Sequence, residues 1–193
     1  MAIDKVTLQV LANHCRAAAE NMAYTLFRTA HSTFVKETED FTIQLLDTNG
    51  KTVAVPLDLG ATWYPGLDYA KAIAMIPEYE PGDVGFTNDP YSGGQHLPDI
   101  QTFRPVFVDG QRVAIVGTLC HHVDVGGGGA GRHCAGAHEI FHQGHRIPPP
   151  RPGGVTREGT DIMRNRLRAL LSATAVAAQQ ALPAAAQTQQ GMG

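Results

Sequence analysis

Two turn dipeptides, Asn49-Gly50 and Asp109-Gly110, constrain the fold of this chain more than any other feature. Each joins a residue that tolerates positive φ to a glycine with no Cβ to clear, and each lies between β-prone arms. The arms are Phe41 to Leu46 and Lys51 to Val55 around DTNG, and Phe103 to Val108 and Arg112 to Leu119 around Asp109-Gly110. This spacing predicts two antiparallel hairpins. Ahead of them, Val6, Val10, Leu11, Ala18, Met22, Leu26 and Phe27 recur mostly three and four apart, with Asp4 placed as an N-cap, which predicts a long amphipathic helix from Asp4 to Ala30. A second helix is expected from Tyr64 to Ile76, stopped by Pro77, then a short strand from Val84 to Thr87, and a third helix from Thr160 to Ala178. The expected fold is α+β, an N-terminal long helix over β-hairpins.

Length and composition narrow the rest. A chain of 193 residues is large enough for one domain with its own core. That domain is expected over residues 1–170, with 171–193 forming a low-complexity tail rich in Ala and Gln. The net charge is −3, and Lys and Arg are scattered without a stripe that would match a phosphate backbone, so nucleic acid is not an expected partner. The opening MAIDKVTLQVLANHC carries charges where a signal peptide needs an apolar core, and no apolar run approaches the roughly 20 residues that span a bilayer. The expected location is the cytoplasm, with no membrane partner. Cys15, Cys120 and Cys134 lack CxxC spacing and are expected to be reduced and mostly buried.

Two polar stretches stand where predicted strands end: NDPYSGGQHLPDI at 88–100 and CHHVDVGGGG at 120–129. Neutral histidine is the commonest metal ligand and carboxylates complete its usual sites. His96, Asp99 and one or two of His121, His122 and Asp124 therefore form a candidate set, and Pro98 restrains the drift of His96 from Asp99. Two histidines and one carboxylate leave coordination positions open, which suits a divalent ion such as Zn, Mn or Fe that polarises a carbonyl or activates water. Asn88 reads as a solvated turn residue before Pro90. His133, His138, His142 and His145 read as exposed loop histidines, Cys120 as a core residue, and Cys134 as the cysteine more open to reaction. The run of glycines at 126–129 is followed by no lysine of the GxxxxGK[ST] kind, so ATP binding is not indicated there, and the residues single out no catalytic group and no cofactor-binding loop.

Five stretches in order carry a family resemblance: VTLQVLANHCRAAAENMAYTLFRTAHS, ETEDFTIQLLDTNGKTVA, PGDVGFTNDPYSGGQHLPDI, HHVDVGG and GHRIPP. Together they resemble the B-type subunit of the hydantoinase/5-oxoprolinase family, to which the large subunits of acetone and acetophenone carboxylases are related. The resemblance implies a subunit that works with an A-type partner using ATP and Mg²⁺, either hydrolysing a small cyclic amide or carboxylating a ketone. It also implies a metal site whose ligands map onto His96, Asp99 and His121. His122, Asp124 and Asp89 are then expected near the ion but outside its ligand set, Asp124 as an acceptor that orients a ligating histidine. B-type subunits are several hundred residues longer, so a truncated or split subunit is expected, inactive without its partner; a non-catalytic family remnant is the alternative.

Overall fold

The structure, a computed structural model, describes residues 3–61, 69–75, 78–129 and 136–149. The helix expected at 160–178, the tail, His133 and Cys134 lie outside the described residues. Helix α1 spans Lys5–Thr29, capped by Asp4, whose carboxylate accepts from the N–H groups of Val6 and Thr7 at 3.0 Å each. A one-turn helix, α2, spans Thr33–Lys36 behind a Ser32 cap. Strands β1 (Phe41–Leu46) and β2 (Thr52–Ala54) form the first hairpin. Helix α3 occupies Ala70–Ala74, within the stretch read as helical from 64 to 76, followed by β3 (Gly85–Thr87), β4 (Asp99–Val108) and β5 (Gln111–His121). The fold is α+β, as expected.

The two hairpins form one sheet. Its order is β2-β1-β5-β4-β3, with every neighbouring pair antiparallel. Asp109 and Gly110 take φ of 49° and 76°, the paired positive values that a two-residue hairpin loop requires. β4 and β5 are longer than their predicted arms, so Asp99 and His121 are the first and last strand residues and face each other across the ladder.

Register sorts the side chains onto two faces. Phe41, Ile43, Leu45, Ala114 and Val116 share one face and pack with Ala19, Met22, Ala23 and Leu26 of α1. The opposite face carries Leu46, Phe103 and Ile115 under Tyr69, Ala72 and Ile73 near α3. Continuing along that face toward the open ends of β4 and β5, it becomes polar but stays buried, through Gln44, Thr42 and Gln101 to Asp99 and His121.

Only part of α1 behaves as its periodicity predicts. Its buried residues are Ala18, Ala19, Met22, Ala23 and Leu26, whereas Val6, Leu8 and Val10 are exposed at 74%, 59% and 40%. Periodicity shows which residues share a stripe, but the sheet is too short to cover all of it. Met22→Ala is therefore expected to lower the unfolding free energy by about 2–5 kcal/mol, while Val6→Ala changes it by less than about 0.5 kcal/mol. Equilibrium unfolding in urea measures both.

Candidate metal centre

Three local devices bring distant residues to one point. In the first, the N–H of Asp99 donates to the carbonyl of His96 at 3.1 Å, closing a turn over Leu97 and Pro98 that sets both side chains at the entry to β4. The second is the β4–β5 register, which places Asp99 opposite His121. The third lies before β1, where Glu39 takes a left-handed φ of 52° and its carboxylate accepts from Gly60 N at 3.0 Å. That turn sets Asp40 beside the end of β5, where its carbonyl accepts from His121 N at 3.0 Å.

The side chains of His96, Asp99 and His121 each bring a ligand atom within 4.8 Å of the others. Asp99 Oδ1 lies 2.9 Å from His121 Nδ1, and Asp99 Oδ2 lies 2.8 Å from His96 Nδ1. The first contact is a hydrogen bond; the second is a close pairing of His96 with a buried Oδ2 that makes no hydrogen bond. Asp40 Oδ2 lies 3.8 Å from His121 Nδ1, and Asp40 Oδ1 is likewise buried without a hydrogen-bond partner. The His96 and His121 rings stack at 5.0 Å between centroids, and Phe34 of α2 meets the His121 ring edge-on at 4.7 Å. Asp99 and His121 are buried, while the His96 side chain remains 34% exposed, so solvent reaches the cluster from the His96 side.

Buried carboxylate oxygens that lack donors are costly. Two such oxygens beside two imidazoles form a donor set that fits a divalent cation bound by nitrogen and oxygen. Asp40 is not among the residues picked out from sequence. The signal that could have found it is its position in ETEDFT, just ahead of a predicted strand.

The residues expected near the ion have separate roles. Asp124 is exposed and its carboxylate accepts from Gly126 N at 2.7 Å, which shapes the glycine-rich turn. The acidic group placed beside a candidate ligating histidine is Asp40. His122 donates its N–H to Pro98 O at 2.9 Å, and burial together with the neighbouring His121 lowers its pKa against the pull of Asp99. Asp89 binds Arg146 through two bonds, Nε to Oδ1 at 3.0 Å and Nη2 to Oδ2 at 2.9 Å. Burial works to raise the Asp89 carboxyl, but hydrogen bonds from Arg146, Tyr91 N and Ser92, with the guanidinium charge, outweigh it and hold the carboxyl below its usual value. Cys120 packs half-buried against the α1 core, its thiol pushed up to about 12 by burial and the charges of Asp99 and Asp40, which agrees with a core role.

The reading of Asn88 as a solvated turn residue is wrong. Asn88 is fully buried, and its Nδ2 donates to Leu97 O at 2.9 Å and His145 O at 2.8 Å, while its Oδ1 accepts from Ile147 N at 2.6 Å. Thr87 Oγ1 adds a bond to Ile147 O at 2.7 Å. TNDP and HRI therefore lock together across almost sixty residues, a pairing invisible to a reading of local turn chemistry. Of the histidines in the later loop, His138 and His142 are exposed and lie outside the cluster, with His142 Nδ1 accepting from His138 N at 3.2 Å. His145 is exposed too and serves Asn88 through its carbonyl.

Fold and site together define an α+β domain that gathers two histidines and two carboxylates at the open end of an antiparallel sheet. A family model described as Hydantoinase B/oxoprolinase matches residues 4–189, and the chain belongs to that family. It is 36% identical over 149 residues to the 5-oxoprolinase PfmaA of Pestalotiopsis fici, covering 75% of this chain and 12% of that protein. A putative D-/L-hydantoinase B-type subunit from a Pseudomonas species is 34% identical over 134 residues, covering 64% and 22%. Among solved structures, an ATP-dependent caprolactamase from Pseudomonas jessenii matches with TM-score 0.70 and 25% identity, over 94% of this chain and 34% of that one. An acetone carboxylase matches in fold with TM-score 0.75 at 21% identity, over 96% and 26%. The chain thus spans about a third or less of each of these proteins. Among the described residues, no helix is long and apolar enough to cross a membrane.

Arg146→Met removes the partner of the buried Asp89. Arg146 is itself a third exposed, so the loss at pH 7 is expected to be smaller than for a fully buried pair but measurable by urea unfolding. The folded Asp89 carboxyl lies below its unfolded value of about 3.9, so its stabilisation is complete above about pH 4 and disappears as the pH falls through the folded value. Urea unfolding from pH 7 down to pH 3 is expected to show that acid-dependent loss in the wild type and a smaller one in the variant.

Proposed function

We propose that this chain forms the metal-holding part of a B-type subunit of an ATP-dependent cyclic-amide hydrolase, working with an A-type subunit that carries ATP and Mg²⁺. The observation that carries the reading is the convergence of His96, Asp99 and His121, with the half-buried Asp40 beside them, where three strands begin or end. These side chains would hold a divalent ion, Zn, Mn or Fe. A bound ion would supply Lewis acidity toward an amide carbonyl or lower the pKa of water.

The chain's own residues supply geometry and charge. Asp99 is shared between the two imidazoles, which fixes their orientation and prevents either from turning freely. Phe34 and the sheet exclude water on the buried side, and the exposed edge of His96 leaves the opposite side open to a substrate. The caprolactamase and the oxoprolinase are named for cyclic amides, and their similarity supports the hydrolase reading over the carboxylase, for which the likeness is one of fold. The sequence holds no phosphate loop of the GxxxxGK[ST] kind, which agrees with ATP being handled elsewhere. The hydantoinase relative is named as one of several subunits, which supports a separate partner chain.

Elemental analysis of the purified chain is expected to find about one divalent ion per molecule, falling to background in the His96→Ala, Asp99→Ala, His121→Ala triple variant. Unchanged metal content in that variant would remove the assignment. Because histidine must be neutral to ligate, affinity should fall on acidification, as titration of metal binding across pH would measure. Incubation with ATP, Mg²⁺ and a panel of cyclic amides is expected to give no turnover by this chain alone, and turnover with an A-type subunit. Turnover without the partner would contradict the division of labour, and no turnover with it would favour a non-catalytic role.

A further inference from the structure

Gln101 lies two residues along β4 from Asp99, on the same face of the sheet and fully buried. Leu119 and Thr87 face it across the neighbouring strands. Its carboxamide is half satisfied: Nε2 donates to Gly93 O at 2.9 Å, while Oε1 is buried with no hydrogen-bond partner. Turning the amide over would press Oε1 against the Gly93 carbonyl oxygen, so the single bond it makes dictates its orientation. A buried carbonyl oxygen without a hydrogen bond is costly, and methionine, of similar length, carries no such oxygen but also no donor for Gly93 O. What glutamine provides is a donor that ties the Gly93 carbonyl to the sheet.

Gly93 holds a left-handed φ of 112° at the end of the short 3₁₀ turn Pro90–Ser92, three residues before His96. Among the four clustered side chains, Asp99 and His121 stand on strands, and Asp40 is pinned by backbone bonds to Phe34 and His121. His96 alone comes from the loop. At its His96 end the loop is tied to β4 by Asp99 N on His96 O at 3.1 Å and by the 2.8 Å contact of the two side chains; at its Gly93 end the ties are Gly94 N to Asp89 O at 3.2 Å and the bond from Gln101, which reaches that end from the sheet.

We infer that Gln101 is a positioning residue for His96, setting through Gly93 where the imidazole sits over Asp99. The inference rests on reading the cluster as a cation site. Its test is a double-mutant cycle between Gln101→Met and His96→Ala, read by Co²⁺ affinity against a chelator and by the visible spectrum of the Co²⁺-loaded chain. Gln101→Met is expected to weaken Co²⁺ binding about tenfold or more and to change the spectrum, while thermal unfolding stays cooperative. In the His96→Ala background the same substitution should change affinity less than about twofold, because its route to the ion is already gone. Gln101→Leu, apolar but different in shape, should repeat the pattern and guards against a packing defect peculiar to Met. An equal loss in both backgrounds would show that Gln101 acts on the fold as a whole, and an unchanged affinity would show that the loop holds itself; either overturns the inference. Co²⁺ binding that ignores Gln101 removes this inference alone, whereas a wild-type chain that binds no Co²⁺ removes the cation reading with it.

Discussion

The pairing of β1 with β5 is the constraint on which the rest of this structure depends. Each hairpin is a local object, closed by its own turn, and a lone two-stranded hairpin is marginal in water. Joining residues 41–46 to 115–120 makes one sheet of five strands and creates the apolar face that α1 covers. The same ladder lays Asp40 beside His121, while its neighbour lays His121 opposite Asp99. Core and candidate site are therefore products of one register, and a slip by one residue would turn His121 and Leu119 to the helix side.

A second long-range contact completes the site from outside the sheet. Asn88 uses both ends of its amide on Leu97, His145 and Ile147, and Asp89 takes Arg146. These bonds hold the loop ahead of His96 against the segment that follows the glycine-rich stretch. Buried polar networks of this kind are favourable only when every member is satisfied. The contrast with the cation cluster is instructive. The Asn88 amide is fully used, whereas Asp40, Asp99 and Gln101 each keep a buried oxygen that makes no hydrogen bond. That difference between two neighbouring buried networks is what supports the cation site proposed above.

The helix over hairpins was legible because periodicity and turn chemistry act within a few residues. His96, Asp99 and His121 were legible as ligand types at strand ends, and the family resemblance narrowed the candidates to those three. The exposed first half of α1, the buried role of Asn88 and the presence of Asp40 were not legible. Each depends on what lies across the sheet or almost sixty residues away, and local pattern carries no information about that distance.

By itself, then, the sequence determined the elements: an Asp4-capped helix, two hairpins with turns at Asn49-Gly50 and Asp109-Gly110, and polar motifs at their ends. Tertiary structure alone decided that Asp40 stands beside His121, that Asn88 is a clamp and that Gln101 donates to the Gly93 carbonyl ahead of His96. The physical reason is that turn and helix preferences are short-ranged, whereas strand order and register follow from burying a shared apolar face against α1. That burial favours the one arrangement in which Asp40, Asp99 and His121 meet.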